Sequence, residues 1–289
     1  MNILITGTTG FVGRNLKECY INDYNIYSPS HDELDLLCAE SVEKYLIEHK
    51  IDIVIHSANW NNTKRTASEF DVLSCNIRMF YNLASLQHYY KKMIYFGSGA
   101  EYSKNRSLNE VKESEFGAVI PCDAYGLSKY VMAKEALHSD KIYDLCLFGV
   151  YGKYEEWHRR FISNAICRAM YDMPITIEKN AFFDYLYIDD LSKIVKWFIE
   201  NTPASHRYNI TSGHSVSLLE LAEMVKAEFN GRPPIIVKEE GWKDAYSGSN
   251  AKLISEIPDI SFSDVKENIT TLTAFYRSKK RLINPERLI

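Results

Sequence analysis

Along the first two thirds of the chain, apolar residues fall into short unbroken runs, and the stretches between them repeat apolar positions every three to four residues. The runs at 2–6, 24–27, 51–55, 92–97 and 142–149 read as strands, and 11–22, 39–49, 66–90 and 123–138 read as helices. Strands that are apolar on both sides and alternate with helices predict a parallel sheet covered on both faces. Right-handed crossovers would wind it into a doubly wound, Rossmann-type α/β fold. After Gly152 the rhythm changes. A helix is expected over 158–171, strands over 175–177 and 182–187, and a helix over 189–200 that opens on Asp189-Asp190, acids suited to a helix N-terminus. Strand 207–210, helix 217–229 and strand 234–238 follow, and the last helix covers 264–277. Residues 230–263, richer in Gly, Pro and Ser, read as largely irregular. The tail 278–289, with Lys279, Lys280, Arg281 and Arg287, reads as a solvated basic end. This divides the chain into a sheet domain over 1–152, which 181–210 rejoins, and a smaller α/β lobe within 153–289.

Composition adds exclusions. A chain of 289 residues with 46% hydrophobic and 25% charged residues can bury a core, so disorder is ruled out as its main state. A net charge of −4 argues against a general nucleic-acid binder. No apolar run approaches the roughly 18 residues of a membrane span, and the start of the chain has no signal-peptide layout, so a cytoplasmic protein without a membrane partner is expected. The six cysteines form no Cys-x-x-Cys pair and the eight histidines no His-x-x-x-His, so no metal is expected and the thiols read as free and buried.

Gly7-Thr8-Thr9-Gly10-Phe11-Val12-Gly13 links the first strand to the first helix. The first glycine permits a sharp turn, the second lets backbone approach a pyrophosphate, and the third packs helix on strand. The free N–H groups and helix dipole then favour an anion. At the end of the second strand, where an acid would bind a ribose 2′-hydroxyl, the chain reads Tyr27-Ser28-Pro29-Ser30-His31. Small polar residues and the potential cation of His31 lean toward NADP over NAD, although Thr9 puts no basic residue in the turn. Tyr125 and Lys129 stand one helical turn apart, where an ammonium can stabilise a phenolate. The spacing recurs at Tyr130/Lys134 and Tyr276/Lys280, so it selects nothing alone. Context selects Tyr125, which follows Pro121 at the start of its helix, near the sheet edge where Ser98 ends a strand.

Together these residues resemble the extended short-chain dehydrogenase/reductase family. The likeness includes the glycine turn, Asp35-Leu36, His56-Ser57-Ala58-Asn59, Asn76, Ser98, Tyr125 and Lys129. It continues through Phe148-Gly149-Val150-Tyr151-Gly152, Asp184 to Leu191, and Tyr208-Asn209-Ile210 on to Ser217-Leu218. The resemblance implies an NAD(P) site made by Gly7, Thr9, Gly10, Phe11, Val12, Gly13, His31, Asp35, Leu36, Ser57, Ala58, Asn59, Asn76, Tyr125, Lys129, Phe148 and Val150. It implies nucleotide-linked sugar substrates, with Tyr125 as acid/base, Lys129 on the nicotinamide ribose, and Ser98 on the reacting oxygen. A homodimer through the helices at 66–90 and 123–138 is implied as well.

Departures from the family narrow the reaction. Sugar 4,6-dehydratases carry an Asp-Glu pair just after the Ser/Thr, and here those positions are Gly99 and Ala100. The stretch 32–37 resembles GDP-fucose synthases, yet their epimerising Cys is Ala100 here and their His aligns with Arg160. Hydride chemistry at C4 is what remains. The leading expectation is reduction of a 4-keto group. A C4 epimerase with tightly held NAD is the alternative enzyme, and a non-catalytic NAD(P)-binding regulatory protein is the alternative outside catalysis. Ser98, Gly99, Arg160 and Asn164 are the expected substrate contacts: Arg160 for a phosphate in place of the arginine that is Phe183 here, and Asn164 for a sugar hydroxyl. Glu101 and Tyr102 are candidates for lining the sugar pocket, and His158 reads as a surface residue.

Overall fold

A computed structural model describes residues 1–60 and 68–288. Residues 66 and 67 of the helix expected over 66–90 lie outside the described residues. The first half alternates strand and helix: β1 (Asn2–Thr6), α1 (Phe11–Tyr20), β2 (Asn25–Tyr27), α2 (Ala39–Glu48), β3 (Ile53–His56), α3 (Glu69–Ala84), β4 (Lys92–Ser98), β5 (Leu108–Val111), α4 (Ala124–Ala136), β6 (Ile142–Leu147) and β7 (Gly149–Tyr151). Then come α5 (Phe161–Met170), β8 (Ile175–Asn180), β9 (Phe182–Tyr187), α6 (Ile188–Glu200), β10 (Arg207–Ile210), β11 (Ser215–Ser217), α7 (Leu218–Ala227), β12 (Ile235–Trp242), β13 (Tyr246–Gly248), α8 (Ala251–Glu256) and α9 (Val265–Ser278).

The main sheet has six parallel strands in the order β10-β6-β4-β3-β1-β2. Alternation along each strand feeds two cores. Ile3, Ile5, Ile53, Ile55, Ile94 and Phe96 face one side, and Leu4, Val54, Met93, Tyr95 and Ile142 face the other. Burial on both faces explains why the strands carry no polar stripe. The helices start where side chains can satisfy free N–H groups: Ser68 with Asp71 on α3, Asp123 on α4, Ser217 with Glu220 on α7 and Asp264 on α9.

A second sheet runs β11-β9-β13-β5, with β7 also paired to β9, and β8 pairs β12. Several expectations are corrected here. The strand expected over 142–149 breaks at Phe148, and its continuation leaves the main sheet to pair β9. Residues 230–263 are more ordered than expected: β12 extends the strand expected over 234–238 to residue 242, and β13 and α8 follow it, with β13 held by long-range ladders to β5 and β9 that leave no local signal. The tail keeps its charges in solvent but is docked: Ile283 and Leu288 are buried, and Arg168 donates to the Leu288 carbonyl. Of the six free cysteines only Cys146 and Cys167 are buried; Cys19 and Cys122 are exposed. No described helix is long and apolar enough to cross a membrane.

Candidate active site

The turn after β1, the loop after β3, and the ends of β4 and β6 meet at the C-terminal edge of the main sheet, where open α/β sheets bind ligands. Thr6 ties two of them. Its hydroxyl lies 3.0 Å from His56 Nδ1 and accepts from the Ser57 and Ala58 amides at 3.2 and 3.1 Å. His56 is buried, and desolvation, with Lys129 nearby, lowers its pKa to about 3, so its ring is a neutral strut.

Gly7 has φ +71°, and a Cβ there would stand 2.7 Å from Ala58 backbone; a Cβ on Gly13 would stand 2.5 Å from the Gly7 carbonyl. Both glycines are demanded by internal packing. Gly10 is not: its Cβ would meet only the Gly7 carbonyl, at 3.2 Å, and the residue is exposed. Thr9 is exposed beside it, and α1 opens at Gly10 with no side-chain cap and no acid in its first turn. The exposed glycine and the uncapped amides of Phe11 and Val12 form a cradle that a Cβ would fill, which fits a pyrophosphate.

The other expected dinucleotide contacts distribute unevenly. Ser57 and Ala58 are half-buried and Asn59 exposed at the sheet edge. Asn76 is buried on α3 and is spent on backbone: its amide accepts from Trp60 N–H at 2.8 Å and donates to the Trp60 and Val72 carbonyls. It holds the loop after β3 in place. Asp35 accepts from the Leu37 amide at 2.9 Å in a turn, while Leu36 is a core side chain. His31 is exposed. Beside it, Glu33 folds back to accept from the Ser30 amide and hydroxyl at 2.7 and 2.9 Å. Glu33 is thus held in its own turn beside the exposed His31.

Tyr125 is the second residue of α4 and Lys129 follows one turn later, both facing β4. Lys129 is buried, donates to the Phe96 carbonyl at 2.8 Å, and lies 5.8 Å from the Tyr125 ring centre. Desolvation lowers its pKa to about 8, with Glu101 and Asp144 opposing the shift. Burial raises the Tyr125 phenol, while the neighbouring Ser98 hydroxyl and the charge of Arg160 pull it down. Arg160, the N-cap of α5, is therefore within electrostatic reach of the phenol, and Asn164 stands one turn further along that helix, half-buried. His158 lies 3.2 Å from Arg287 Nη2, away from this group. Phe148 and Val150 are half-buried after β6, and Gly149 is a glycine because a Cβ there would stand 2.7 Å from the Asp184 carbonyl. Lys104, which no pattern singled out, lies 5.7 Å from the Tyr125 ring.

Glu101 and Tyr102 do not line a sugar pocket. Tyr102 is buried and donates to Asn209 Oδ1 at 2.7 Å. Glu101 is wholly buried: one carboxylate oxygen accepts from the Ser98 amide at 2.8 Å and the other from Arg207 Nη1 at 2.5 Å. Arg207 Nη1 also donates to Asp144, and all three side chains are sequestered. A Cβ on Gly97 would overlap both carboxylates, so the cluster sits directly beneath the strand that ends in Ser98. Sequence reasoning missed this group. Its signal was Asp144, a lone acid inside the apolar run Ile-Tyr-Asp-Leu-Cys-Leu. Among the described residues no cluster of metal ligands occurs.

A pyrophosphate cradle on β1 and a phenol–ammonium pair on α4, opening on one sheet edge, define a Rossmann-type, dinucleotide-dependent enzyme. Residues 3–211 match the NAD dependent epimerase/dehydratase family, and the chain belongs to that family. A curated relative, GDP-L-colitose synthase of Yersinia pseudotuberculosis, is 26% identical over 255 residues, covering 78% of this chain and 81% of that protein. Two solved structures share the fold. One is a GDP-mannoheptose C4 reductase from Campylobacter jejuni with NADP bound (20% identity, TM-score 0.81, 96% of this chain and 98% of that one). The other is a GDP-L-fucose synthetase from Naegleria fowleri bound to NADP (14% identity, TM-score 0.83, 97% of this chain and 93% of that one).

Proposed function

We propose that the protein reduces the 4-keto group of a nucleotide-linked sugar, with NADP or NAD as cofactor. The observation that carries this reading is the buried Lys129 ammonium, anchored on the Phe96 carbonyl and 5.8 Å from the Tyr125 ring centre, beside the strand that ends in Ser98. When bound, the dinucleotide supplies a hydride to the carbonyl carbon. Ser98 and Tyr125 hold the carbonyl oxygen between two hydroxyls, and Tyr125 gives its phenolic proton to that oxygen as the alkoxide develops. Lys129, anchored on the Phe96 carbonyl, has N–H bonds left for a ribose hydroxyl and stabilises the phenolate that results. Arg160 meets the diphosphate and Asn164 a sugar hydroxyl. Gly99 and Ala100 can neither take nor give a proton, and Glu101 is committed to the Ser98 amide and Arg207, which disfavours elimination of water. The names of the relatives support the nucleotide-sugar class, and that of the GDP-mannoheptose C4 reductase supports the C4 position. A homodimer through α3 and α4 belongs to the same reading.

The test begins with denaturing the purified protein and identifying any released nucleotide by mass. Stoichiometric NAD, with no net cofactor consumption on any keto sugar, would replace reduction with C4 epimerisation. A protein free of nucleotide that consumes NADPH or NADH on a nucleotide 4-keto sugar is the expected result. Tyr125→Phe should lower turnover by about 10²–10⁴-fold while sparing dinucleotide binding; full activity in that variant would overturn the mechanism.

A further inference from the structure

Tyr246 lies on β13, in the stretch that the sequence pattern left irregular, yet its hydroxyl reaches the catalytic edge. It sits 2.6 Å from where a Cβ on Gly99 would stand, next in the chain to Ser98, whose hydroxyl is near enough to act on the phenol. The ring is seated by aromatic neighbours: Phe148 at 5.3 Å and Phe183 at 6.0 Å between ring centres. Phe148 in turn lies against Gly99 and Gly248, either of which would collide with it if it carried a Cβ, at 2.7 and 2.6 Å. The glycine after Ser98 is therefore the opening through which a phenol from the second sheet reaches the catalytic serine.

A serine hydroxyl has one proton and two lone pairs. One lone pair of Ser98 accepts from the Ala100 amide at 3.2 Å. The other is open to the phenolic proton of Tyr246. The single proton of Ser98 is then left to point toward Tyr125 and the position of the reacting oxygen, as reduction of a carbonyl requires. Burial raises the Tyr246 phenol above its ordinary range, so it keeps its proton across the working pH. Resting on the reductase reading above, we propose that Tyr246 is a positioning residue that fixes Ser98 as a hydrogen-bond donor to the substrate carbonyl.

Two variants and two readouts test this. Tyr246→Phe removes one oxygen and leaves the ring in its seat, so kcat should fall about tenfold, the scale of one neutral hydrogen bond, with KM and Tm unchanged. Gly99→Ala keeps the phenol but pushes it off Ser98, and kcat should fall in the same direction. In protein labelled with ¹³Cζ-tyrosine, Tyr246→Phe should move the Tyr125 resonance (assigned with Tyr125→Phe), as Ser98→Ala does. An unmoved Tyr125 resonance, or a kcat equal to that of the parent, overturns the proposal. If the parent protein turns over no keto sugar, the reductase reading fails on that result, and the resonance alone decides whether Tyr246 orients Ser98.

Discussion

Asp144→Asn should make the protein more stable at neutral pH, although it alters a fully buried charged residue. Asp144 shares one arginine with Glu101, and its Oδ1 has no hydrogen-bond partner among the described residues. Desolvation, with Glu101 adding to it, raises its pKa from 3.8 to about 8. The folded protein therefore keeps a proton that the unfolded chain releases above pH 3.8, so stability declines as pH rises from there toward 8. Each pH unit in that window is worth about 1.4 kcal/mol, which puts the ceiling at pH 7 near about 4 kcal/mol. Relaxation of a buried cluster brings the expected difference to about 2 kcal/mol. Asparagine never ionises. Its oxygen can still accept from Arg207, and its amide can donate to Glu101 in the space above Gly97. Thermal unfolding of the nucleotide-free protein from pH 4 to 8 reads this out. At this chain length 1 kcal/mol moves Tm by about 2 °C, so Asp144→Asn should unfold about 4 °C higher at pH 7 and level with the parent near pH 4. Arg207→Met, which leaves the buried Glu101 carboxylate without its cation, should cost about 3–5 kcal/mol. If Asp144→Asn is destabilised at pH 7 as Arg207→Met is, or if its difference from the parent does not shrink toward pH 4, the proton assignment is wrong.

Gly10→Ala should keep stability within about 1 kcal/mol of the parent yet lose dinucleotide affinity, whereas Gly7→Ala, at φ +71° and 2.7 Å from Ala58 backbone, should lower Tm first; paired melting and dinucleotide titration separate the two, and equal losses in both would contradict the cradle. With Lys129 at about 8, kcat/KM should fall as pH passes that value and the ammonium is lost. Stability moves oppositely: the folded state releases this proton before the unfolded chain does, so the Lys129 contribution rises from pH 8 toward 10.5, and an alkaline limb near 10.5 would contradict the buried placement.

What could be read from the residues was local. β1 and the glycine turn follow from an apolar run meeting a fixed spacing, and Tyr125 was chosen over Tyr130 by its place in the first turn of α4. Tyr130 is instead buried against Phe116, 4.9 Å between ring centres. What could not be read depends on strand order. Arg207 faces Asp144 only because β10 lies beside β6 in parallel register, with those two residues as partners. Tyr246 belongs to a three-residue strand, Tyr-Ser-Gly, with no apolar period of its own, held by pairing to Leu108 and Phe183 far away in the chain. Phe148 broke an expected strand because its ring is needed between Gly99 and Gly248, a demand that only tertiary packing makes.

The place of β10 also sets an order of events during synthesis. The main sheet is lined with residues from the first half of the chain, but its sixth strand, and the only cation paired to Glu101 and Asp144 among the described residues, arrive with residue 207. Until the ribosome has made and released that segment, the edge of β6 is bare and two carboxylates have no counter-ion. The backbone of Ser98 then hangs from an acid that water still claims. The nascent chain can collapse around β1 to β4, but it cannot lock Ser98. Chaperone dependence and ribosome-bound protease sensitivity should therefore end at the emergence of β10, well after the glycine turn at 7–13 has left the exit tunnel.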